Sequence, residues 1–382
     1  GVAFRQPLGT RNSVRSRLVH LSSQAVQLTS GAARELMTGS WTAYRKRLLQ
    51  ARRHPLQTVL SVVILALIAW VVWSTATWLV FGADWTVVSE NLPLFAVGAY
   101  PENERWRPCL WLGLLCLMSA ITLLQPLISP RWRISGLALS WCWLAMLPIG
   151  LLLLAGGAGL QSVSSRDWGG LTLTVLLTGF SGLLALPLGI LLALGRRSKL
   201  KLPRHLCRLY IDGMRAVPLI AVLFFGQLLL PLFLPVGVEI NRVLRAVVAF
   251  ALFAAAYVAE DVRGGLQAIP GTQLEAAAAL GLGPWQIQQL VVLPQALRVA
   301  VPALTNQAIG LLQNTSLMAI LGLVELLGIS RSLLANPAYI GRHLETYIWL
   351  AGLYWLVCTA MALMARQLER QGPSASTSAI PS

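Results

Sequence analysis

The sequence predicts an all-α membrane protein with about eight transmembrane helices. Hydrophobic residues make up 56% of the chain, charged residues only 12%, and the mean hydropathy is +0.67. Soluble domains carry about 25% charged residues. Uncharged runs of the length that crosses a bilayer, about 20 residues, recur along the chain. The loops between them alternate between basic and acidic or neutral, as the positive-inside rule requires, which places both termini in the cytoplasm.

The spans follow from the uncharged runs and the charges that flank them. These runs are 55–83, 108–130, 134–165, 168–195, 216–238, 246–259, 299–324 and 346–365. The sixth run has only 14 residues, so its helix is predicted to include polar ends and to extend from Asn241 to Arg263.

The net charge of +16 lies between the apolar runs and in the N-terminal tail, which disfavours nucleic-acid binding. Residues 1–54 hold ten Lys and Arg against one acid, and the first apolar run starts after Pro55, so a secretory signal is not expected. This basic cytoplasmic tail is predicted either to lie on anionic lipid or to be disordered. Residues 371–382, rich in Gly, Pro, Ser and Thr, are predicted to be a disordered tail.

The apolar runs divide near residue 166. Residues 55–165 form three Trp- and Leu-rich spans, in which tryptophans near the span ends, such as Trp111 and Trp141, are predicted to be interface anchors. Residues 166–370 form five spans interrupted by Gly, Pro, Thr, Gln and Asn. Polar groups inside a membrane are unfavourable unless they are paired or line a wet cavity, so the second part is predicted to carry the function.

The loop between the sixth and seventh spans has its own helix signals. Pro270-Gly271 predicts a turn, and Thr272-x-x-Glu275 predicts a capping box that starts a helix. Glycines then break that helix, and Pro284 suits the first turn of another. The predicted helices are Thr272–Leu280 and Pro284–Leu290, with a hinge at Gly281–Gly283.

Three amide side chains lie near the middle of predicted spans: Gln227 in the fifth, and Gln313 and Asn314 in the seventh. Polar groups at that depth are candidates for a substrate pathway, and the alternative is a hydrogen bond between helices. Amides suit a zwitterion, because they donate to a carboxylate and accept from an ammonium group. Thr315 and Ser316 could add hydroxyl contacts.

A charged cluster marks the inner end of the sixth span. Glu260, Asp261 and Arg263 either gate the inner mouth or tether the helix to a neighbour, and Arg215 with Pro218 opens the fifth span as a structural hinge.

Catalytic and metal-binding patterns are absent from the sequence. It has no G-x-x-x-x-G-K-[ST] phosphate loop, its four histidines form no ligand spacing, and no nucleophile–base pair is suggested. The chain is therefore predicted not to be an enzyme and to hold no metal or cofactor of its own.

The loop resembles the EAA motif of ABC importer permease subunits. Glu275-Ala276-Ala277, three residues, Gly281, nine residues, then Val291-x-Leu293-Pro294 matches E-A-A…G…I-x-L-P, with Val291 in place of Ile. In that family the loop is the coupling helix that binds the ATPase subunit. The resemblance implies a coupling loop at 271–294 whose contact residues are Glu275, Ala276, Ala277, Gly281, Leu282 and Pro294.

Flanking segments resemble the polar amino-acid branch of the same family. The matches are Tyr210-x-x-x-x-Arg215-x-x-Pro218-Leu219, Ala256-Tyr257-x-x-Glu260-x-x-Arg263-Gly264-Gly265, and Gln313-Asn314-Thr315-Ser316-Leu317 where the branch has K-D-T-S-L. They add Tyr257 to the pathway candidates. Replacement of Lys-Asp by Gln313-Asn314 removes two opposite charges together. The three additional N-terminal spans resemble the M-type subunit of general L-amino-acid importers.

The resemblance implies a five-helix MetI-like permease core plus three N-terminal spans in a bacterial cytoplasmic (inner) membrane. Its implied partners are a second homologous permease subunit, two ABC ATPase subunits that bind ATP and Mg²⁺, and a periplasmic amino-acid-binding protein. A heterodimer is favoured over a homodimer. The alternatives are an ion-coupled secondary transporter, which needs carboxylates inside the membrane, and a non-transporting scaffold, which does not need the mid-depth amides.

Overall fold

The computed structural model describes residues 55–129, 133–157, 159–235 and 237–371. The basic tail predicted for 1–54 and residues 372–382 of the predicted C-terminal tail lie outside them. Within the described residues, seven helices are long and apolar enough to cross a membrane, and an eighth span is counted if a strongly bent helix pair is one crossing. The prediction of an all-α protein with about eight spans is confirmed.

The helices, in chain order, are α1 (Pro55–Thr77), α2 (Thr86–Ser89), α3 (Leu92–Val97), α4 (Trp106–Leu124), α5 (Gly136–Ala155), α6 (Gly170–Arg196), α7 (Lys201–Ala216), α8 (Leu219–Phe224), α9 (Arg242–Gln267), α10 (Gly271–Ala279), α11 (Pro284–Gln286), α12 (Leu293–Asn314), α13 (Leu326–Leu334) and α14 (His343–Gln371). Short π-helical or 3₁₀ turns extend α1, α4, α8, α11 and α12.

The chain divides after Ala83 into two compact units. The first contains α1 with its π-helical turn Trp78–Gly82, a continuous apolar segment whose described side chains are mostly exposed. The second contains every later helix, so the second and third predicted spans share one packing unit with the five C-terminal spans. The composition change near residue 166 therefore does not coincide with a boundary in packing.

Helix α9 lies at the centre of the second unit. Two thirds of its most apolar window is buried (67%), against 33% or less for the other spans. Its predicted start is confirmed within one residue, because Asn241 is the N-cap and its side-chain oxygen accepts a hydrogen bond from the Val243 N–H at 2.8 Å. Alanine is the commonest of its buried residues, and small residues let membrane helices approach closely.

Two glycines set the distance of α9 from its neighbours. A Cβ at Gly189 of α6 would lie 2.4 Å from a methyl group of Val258, and a Cβ at Gly265 of α9 would lie 2.2 Å from the Ala296 carbonyl of α12. Neither position has room for a larger residue. These close approaches explain why glycine stands at these two helical positions, although glycine otherwise weakens a helix.

Helices α4 and α5 pack side by side through Trp111. This side chain is fully buried, and its indole N–H donates to the Met146 carbonyl at 2.8 Å. A Cβ at Gly150 would lie 2.3 Å from the same ring. The prediction that Trp111 is an interface anchor is therefore wrong, because Gly150 opens a slot on α5 that buries the ring between the helices. Trp141 is exposed, as an anchor would be.

The fifth predicted span, 216–238, is short and irregular. It consists of α8, a π-helical turn at Phe225–Leu229 and a 3₁₀ turn that ends at Phe233. The preceding residues, predicted as a basic loop, form the 16-residue helix α7, and the axis turns by 105° between the two. Pro218 explains the turn, because a residue before proline is driven to an extended conformation, as Val217 is, with ψ 136°.

Candidate functional site

The first helix of the predicted coupling loop is present as α10, Gly271–Ala279. It ends in a Schellman motif: the Gly281 N–H donates to the Ala278 carbonyl at 2.9 Å, and the Leu282 N–H donates to the Ala277 carbonyl at 3.3 Å. Gly281 has φ +81° with open space around it, so glycine is required by the backbone conformation and not by contact.

The predicted capping box at Thr272 and Glu275 is wrong. Helix α10 starts one residue earlier, with Pro270 as its N-cap and no side-chain capping bond. One of the two hydrogen bonds of a capping box occurs instead at the start of the second predicted helix, where the Gln286 side-chain oxygen accepts from the Gly283 N–H at 2.9 Å. The other hydrogen bond of the box cannot form, because the N-cap residue Gly283 has no side chain to accept it.

The second predicted helix, Pro284–Leu290, is not a separate element. It begins at Pro284 and runs without a break into the next span, giving one 38-residue helix that ends at Leu321. Pro294 lacks the N–H of an α-helical bond and would normally break the helix. The π-helical turn Ile287–Val292 ends two residues before Pro294, and such local widening lets a helix pass a proline.

The coupling-loop candidates differ in exposure. Glu275, Ala276, Gly281 and Pro294 are exposed and Leu282 is half-buried. Ala277 is buried, with 5% exposure, so its predicted place on the docking surface is wrong: it lies on the face of α10 that packs inward with Leu274. Sequence reasoning missed the large apolar side chains that the loop exposes, which are Leu280, Trp285 and Leu290.

The charged cluster predicted at the inner end of the sixth span (the inner cluster) centres on one carboxylate, Glu260 of α9. It accepts two hydrogen bonds from Arg263, at 2.9 and 2.7 Å, and forms ion pairs with Arg196 of α6 and, at 3.5 Å, with Arg215 of α7. Arg196 also pairs with Asp212 of α7 at 3.4 Å. The structure thus brings the predicted residues Glu260, Arg263 and Arg215 together and adds Arg196 and Asp212, whereas the predicted member Asp261 is in none of these ion pairs.

This geometry favours the tether over the gate. One carboxylate holds guanidinium groups from three helices, so α6, α7 and α9 are tied together at one end of the bundle. The five-residue network is visible in sequence only as scattered charges at span ends.

Tyr257, a pathway candidate, lies beside the inner cluster. The Arg215 guanidinium lies 5.6 Å from the centroid of its ring, and the Phe253 ring lies 5.0 Å away. A cation over an aromatic face is a stabilising contact, so Tyr257 contributes to the same tether.

Gln227 is buried in the π-helical turn after α8. Its side-chain amide donates to the Arg242 carbonyl at 2.8 Å, at the start of α9. This is the interhelical hydrogen bond considered as the alternative to a pathway role.

The other amides lie where α12 ends and a 3₁₀ turn begins. Gln313 is exposed and its amide lies 3.9 Å from the Cys358 sulfur of α14. Thr315 and Ser316 donate back to the carbonyls of Leu312 and Gln313, at 2.6 and 2.8 Å. The Asn314 side chain is half-buried and has no hydrogen-bond partner within the described part of the chain.

Glu325, which no motif in the sequence singles out, is a fully buried carboxylate. It caps α13 by accepting hydrogen bonds from the Leu327 and Gly328 N–H groups at 2.9 and 3.0 Å, and the Tyr354 hydroxyl donates to it at 3.1 Å. Burial raises the pKa of Glu325 from 4.5 to about 6, although these hydrogen bonds act in the opposite direction.

Because the pKa of Glu325 is raised in the folded state, the protein binds more protons folded than unfolded between about pH 4.5 and pH 6. The resulting contribution to the free energy of unfolding, at most about 2 kcal/mol, is present below pH 4.5 and is lost as the pH rises through 6. We expect Glu325→Gln to reduce the difference in melting temperature between pH 5 and pH 7.5. Glu239→Gln, at an exposed position, is the control. Equal pH dependence in the two variants would contradict the prediction.

Comparison with known proteins identifies a family and several relatives of this chain. Residues 185–371 match the family described as the binding-protein-dependent transport system inner membrane component. The chain is 41% identical over 290 residues to the inner membrane amino-acid ABC transporter permease protein YhdY of Escherichia coli K12, covering 76% of this chain and 78% of that protein. It is 34% identical over 393 residues to the glutamate/glutamine/aspartate/asparagine transport system permease protein BztC of Rhodobacter capsulatus, covering 83% and 91%.

A solved structure, the crystal structure of an amino acid ABC transporter with histidines, is 29% identical, with coverage of 53% of this chain and 91% of that chain and a TM-score of 0.48.

The apolar helices and these matches together define a membrane transport component. The chain belongs to the family of inner-membrane permease components of binding-protein-dependent transport systems, the permease subunits of ABC transporters. Members of this family are transport subunits and not enzymes.

Proposed function

We propose that the chain is the permease subunit of an ATP-driven importer of amino acids, and that loop 271–294 couples it to the ATPase. The observation that carries the proposal is this loop: its EAA pattern forms α10 and a Schellman turn, and it leaves Ala276, Leu280 and Trp285 exposed. A patch of small and large apolar groups outside the bilayer segments fits a protein partner.

The substrate class is inferred from relatives. Two relatives that match most of the chain are described as an amino-acid ABC transporter permease and as a permease of a glutamate/glutamine/aspartate/asparagine transport system. Within this chain, the free Asn314 amide and the exposed Gln313 are the strongest pathway candidates, because amides can bind both charges of a zwitterion. Thr315 and Ser316 use their hydroxyls in local helix bonds and are weaker candidates.

The assembly we propose has a second, related permease subunit, two ATPase subunits that bind ATP and Mg²⁺, and a periplasmic amino-acid-binding protein, in the bacterial inner membrane with both termini cytoplasmic. The pathway lies between the two permeases. Closure of the ATPases on ATP pulls the coupling loops together and opens the pathway outward, and hydrolysis returns it inward, an alternating-access scheme.

The inner cluster gives this motion a mechanical route. Loop 271–294 follows α9 in the chain, and Ile269 before the loop and Leu274 within it pack on the core. Glu260 in turn ties α9 to α6 and α7. Movement of the loop therefore acts on three helices as a group.

Uptake into proteoliposomes tests the proposal. Vesicles that contain the chain with its partner subunits should accumulate labelled amino acid only with ATP on the ATPase side, and dissipation of ion gradients should have no effect. Asn314→Leu should raise the KM for uptake, whereas Asn336→Leu, at an exposed outer turn, should not. Uptake driven by an ion gradient without ATP would instead identify a secondary transporter.

A further inference from the structure

Helix α7 has three distinct faces along its 16 residues. The first packs on the helix bundle. Ile211 is fully buried, and the Tyr210 hydroxyl donates to the Leu252 carbonyl of α9 at 2.9 Å. Cys207 lies so close to α6 that a Cβ at Gly195 would come within 2.5 Å of its sulfur. This face fixes the helix on the second unit.

The second face is a leucine stripe, defined as Leu202, Leu206 and Leu209. Their spacing of four and then three residues places them on one side of the helix. They are 70%, 57% and 73% exposed, so nothing in the described chain covers them. A stripe of three exposed leucines needs an apolar environment outside this chain.

The third face is a basic stripe, defined as Lys201, Arg204 and Arg208, which borders the leucine stripe. All three side chains are exposed. The acid nearest along this face is Asp212, whose carboxylate lies 3.7 Å from Arg208 at an exposed position, where an ion pair contributes little. The basic stripe therefore keeps most of its positive charge.

The chain path places α7 at the inner end of the spans. Helix α6 ends at Arg196, in the most basic loop of the sequence, and the chain turns by 105° after α7 into the next apolar segment. Because the axis of α7 lies at 105° to the apolar segment that follows it, α7 does not continue the path of that segment across the bilayer, and an orientation along the membrane surface fits this angle. By the positive-inside rule, that surface is the cytoplasmic leaflet.

We propose that α7 is an interfacial helix that binds anionic phospholipid. The leucine stripe enters the outer part of the acyl layer, and the basic stripe pairs with the phosphates beside it. An apolar stripe bordered by cations matches a headgroup boundary, where long basic side chains extend from an apolar surface to charged groups. A negative leaflet supplies the complementary charge. This inference is independent of the substrate and docking proposals.

Depth-dependent quenching tests the leucine stripe in the full chain, purified with its partner subunits and reconstituted in vesicles of phosphatidylcholine and phosphatidylglycerol. In a background without the native cysteines, an NBD fluorophore is attached at Leu206→Cys or, as the matched control, at Lys201→Cys. We expect lipid with a nitroxide on acyl carbon 5 to quench the first label about twofold more than the second, and iodide to do the reverse. Quenching of the Leu206 label by iodide, or by neither reagent, as under a protein partner, would overturn the proposal.

Lipid selectivity tests the basic stripe. The triple change Lys201→Gln, Arg204→Gln and Arg208→Gln should lower the preference for spin-labelled phosphatidylglycerol over phosphatidylcholine about twofold. The control removes three exposed arginines elsewhere: Arg166, Arg242 and Arg331. An unchanged preference in the α7 variant, or an equal loss in the control, would contradict anionic lipid binding by α7.

Discussion

Glu260→Gln is expected to lower the melting temperature of the purified protein by several degrees. The change leaves Arg196, Arg215 and Arg263 facing one another without the carboxylate that pairs them. Removing one partner of a buried ion pair costs about 3–5 kcal/mol. The arginines are 21–41% exposed and the carboxylate 14%, so solvent screening reduces this to about 2 kcal/mol. The same variant should lower uptake, because α6, α7 and α9 are no longer tied.

Two variants test whether the loss of stability is specific to the Glu260 carboxylate or follows from removing any neighbouring acid. Asp212→Asn removes a neighbouring acid that is 52% exposed and should have little effect. Glu260→Asp keeps the charge and should recover part of the loss. If Glu260→Gln melted with the wild-type protein, or no lower than Asp212→Asn, the cluster would not tie the helices.

Ala276→Arg is expected to reduce ATP-driven uptake by more than tenfold and to release the ATPase on purification. Ala276 is exposed on α10, beside Leu280 and close in sequence to Trp285. An arginine buried there against a partner would be an unpaired charge, at a cost of about 2 kcal/mol or more, which is over tenfold in affinity. Thermal stability of the chain alone should not change, because the side chain points into open solvent.

Ala335→Arg, the same change at an exposed position after α13, is the control and should preserve uptake. Ala277→Arg is a second comparison: because Ala277 is buried, this variant should lower the melting temperature as well. An Ala276→Arg protein that keeps its ATPase and its transport rate would refute the docking assignment.

The spans and the loop were predictable because membrane helices follow simple rules. Long uncharged runs marked seven of the spans, and the N-cap Asn241 and the glycines of the loop marked helix ends within a residue. The EAA pattern located the exposed loop. What it did not reveal is the inward direction of Ala277, since a run of alanines has no apolar periodicity that distinguishes one face from another.

The features that could not be predicted from the sequence depend on contacts between residues far apart in the chain. Helix α7 is not among the predicted elements because uncharged runs do not mark an amphipathic helix, although its leucines recur at helical spacing. Glu260 and Arg196 are 64 residues apart, so their pairing needs the α6–α9 packing. Glu325 stands between Val324 and Leu326-Leu327 in the sequence. These apolar neighbours are the only local sign that its carboxylate is buried.

Photocross-linking at position 276 tests the central claim, that loop 271–294 binds the ATPase subunit, most directly. The assembled complex would carry benzoylphenylalanine at Ala276 or at Ala335, and cross-linked peptides would be identified by mass spectrometry. The account predicts a cross-link from position 276 to the ATPase subunit and none from position 335. No ATPase adduct at position 276, or equal yields at both positions, would contradict it.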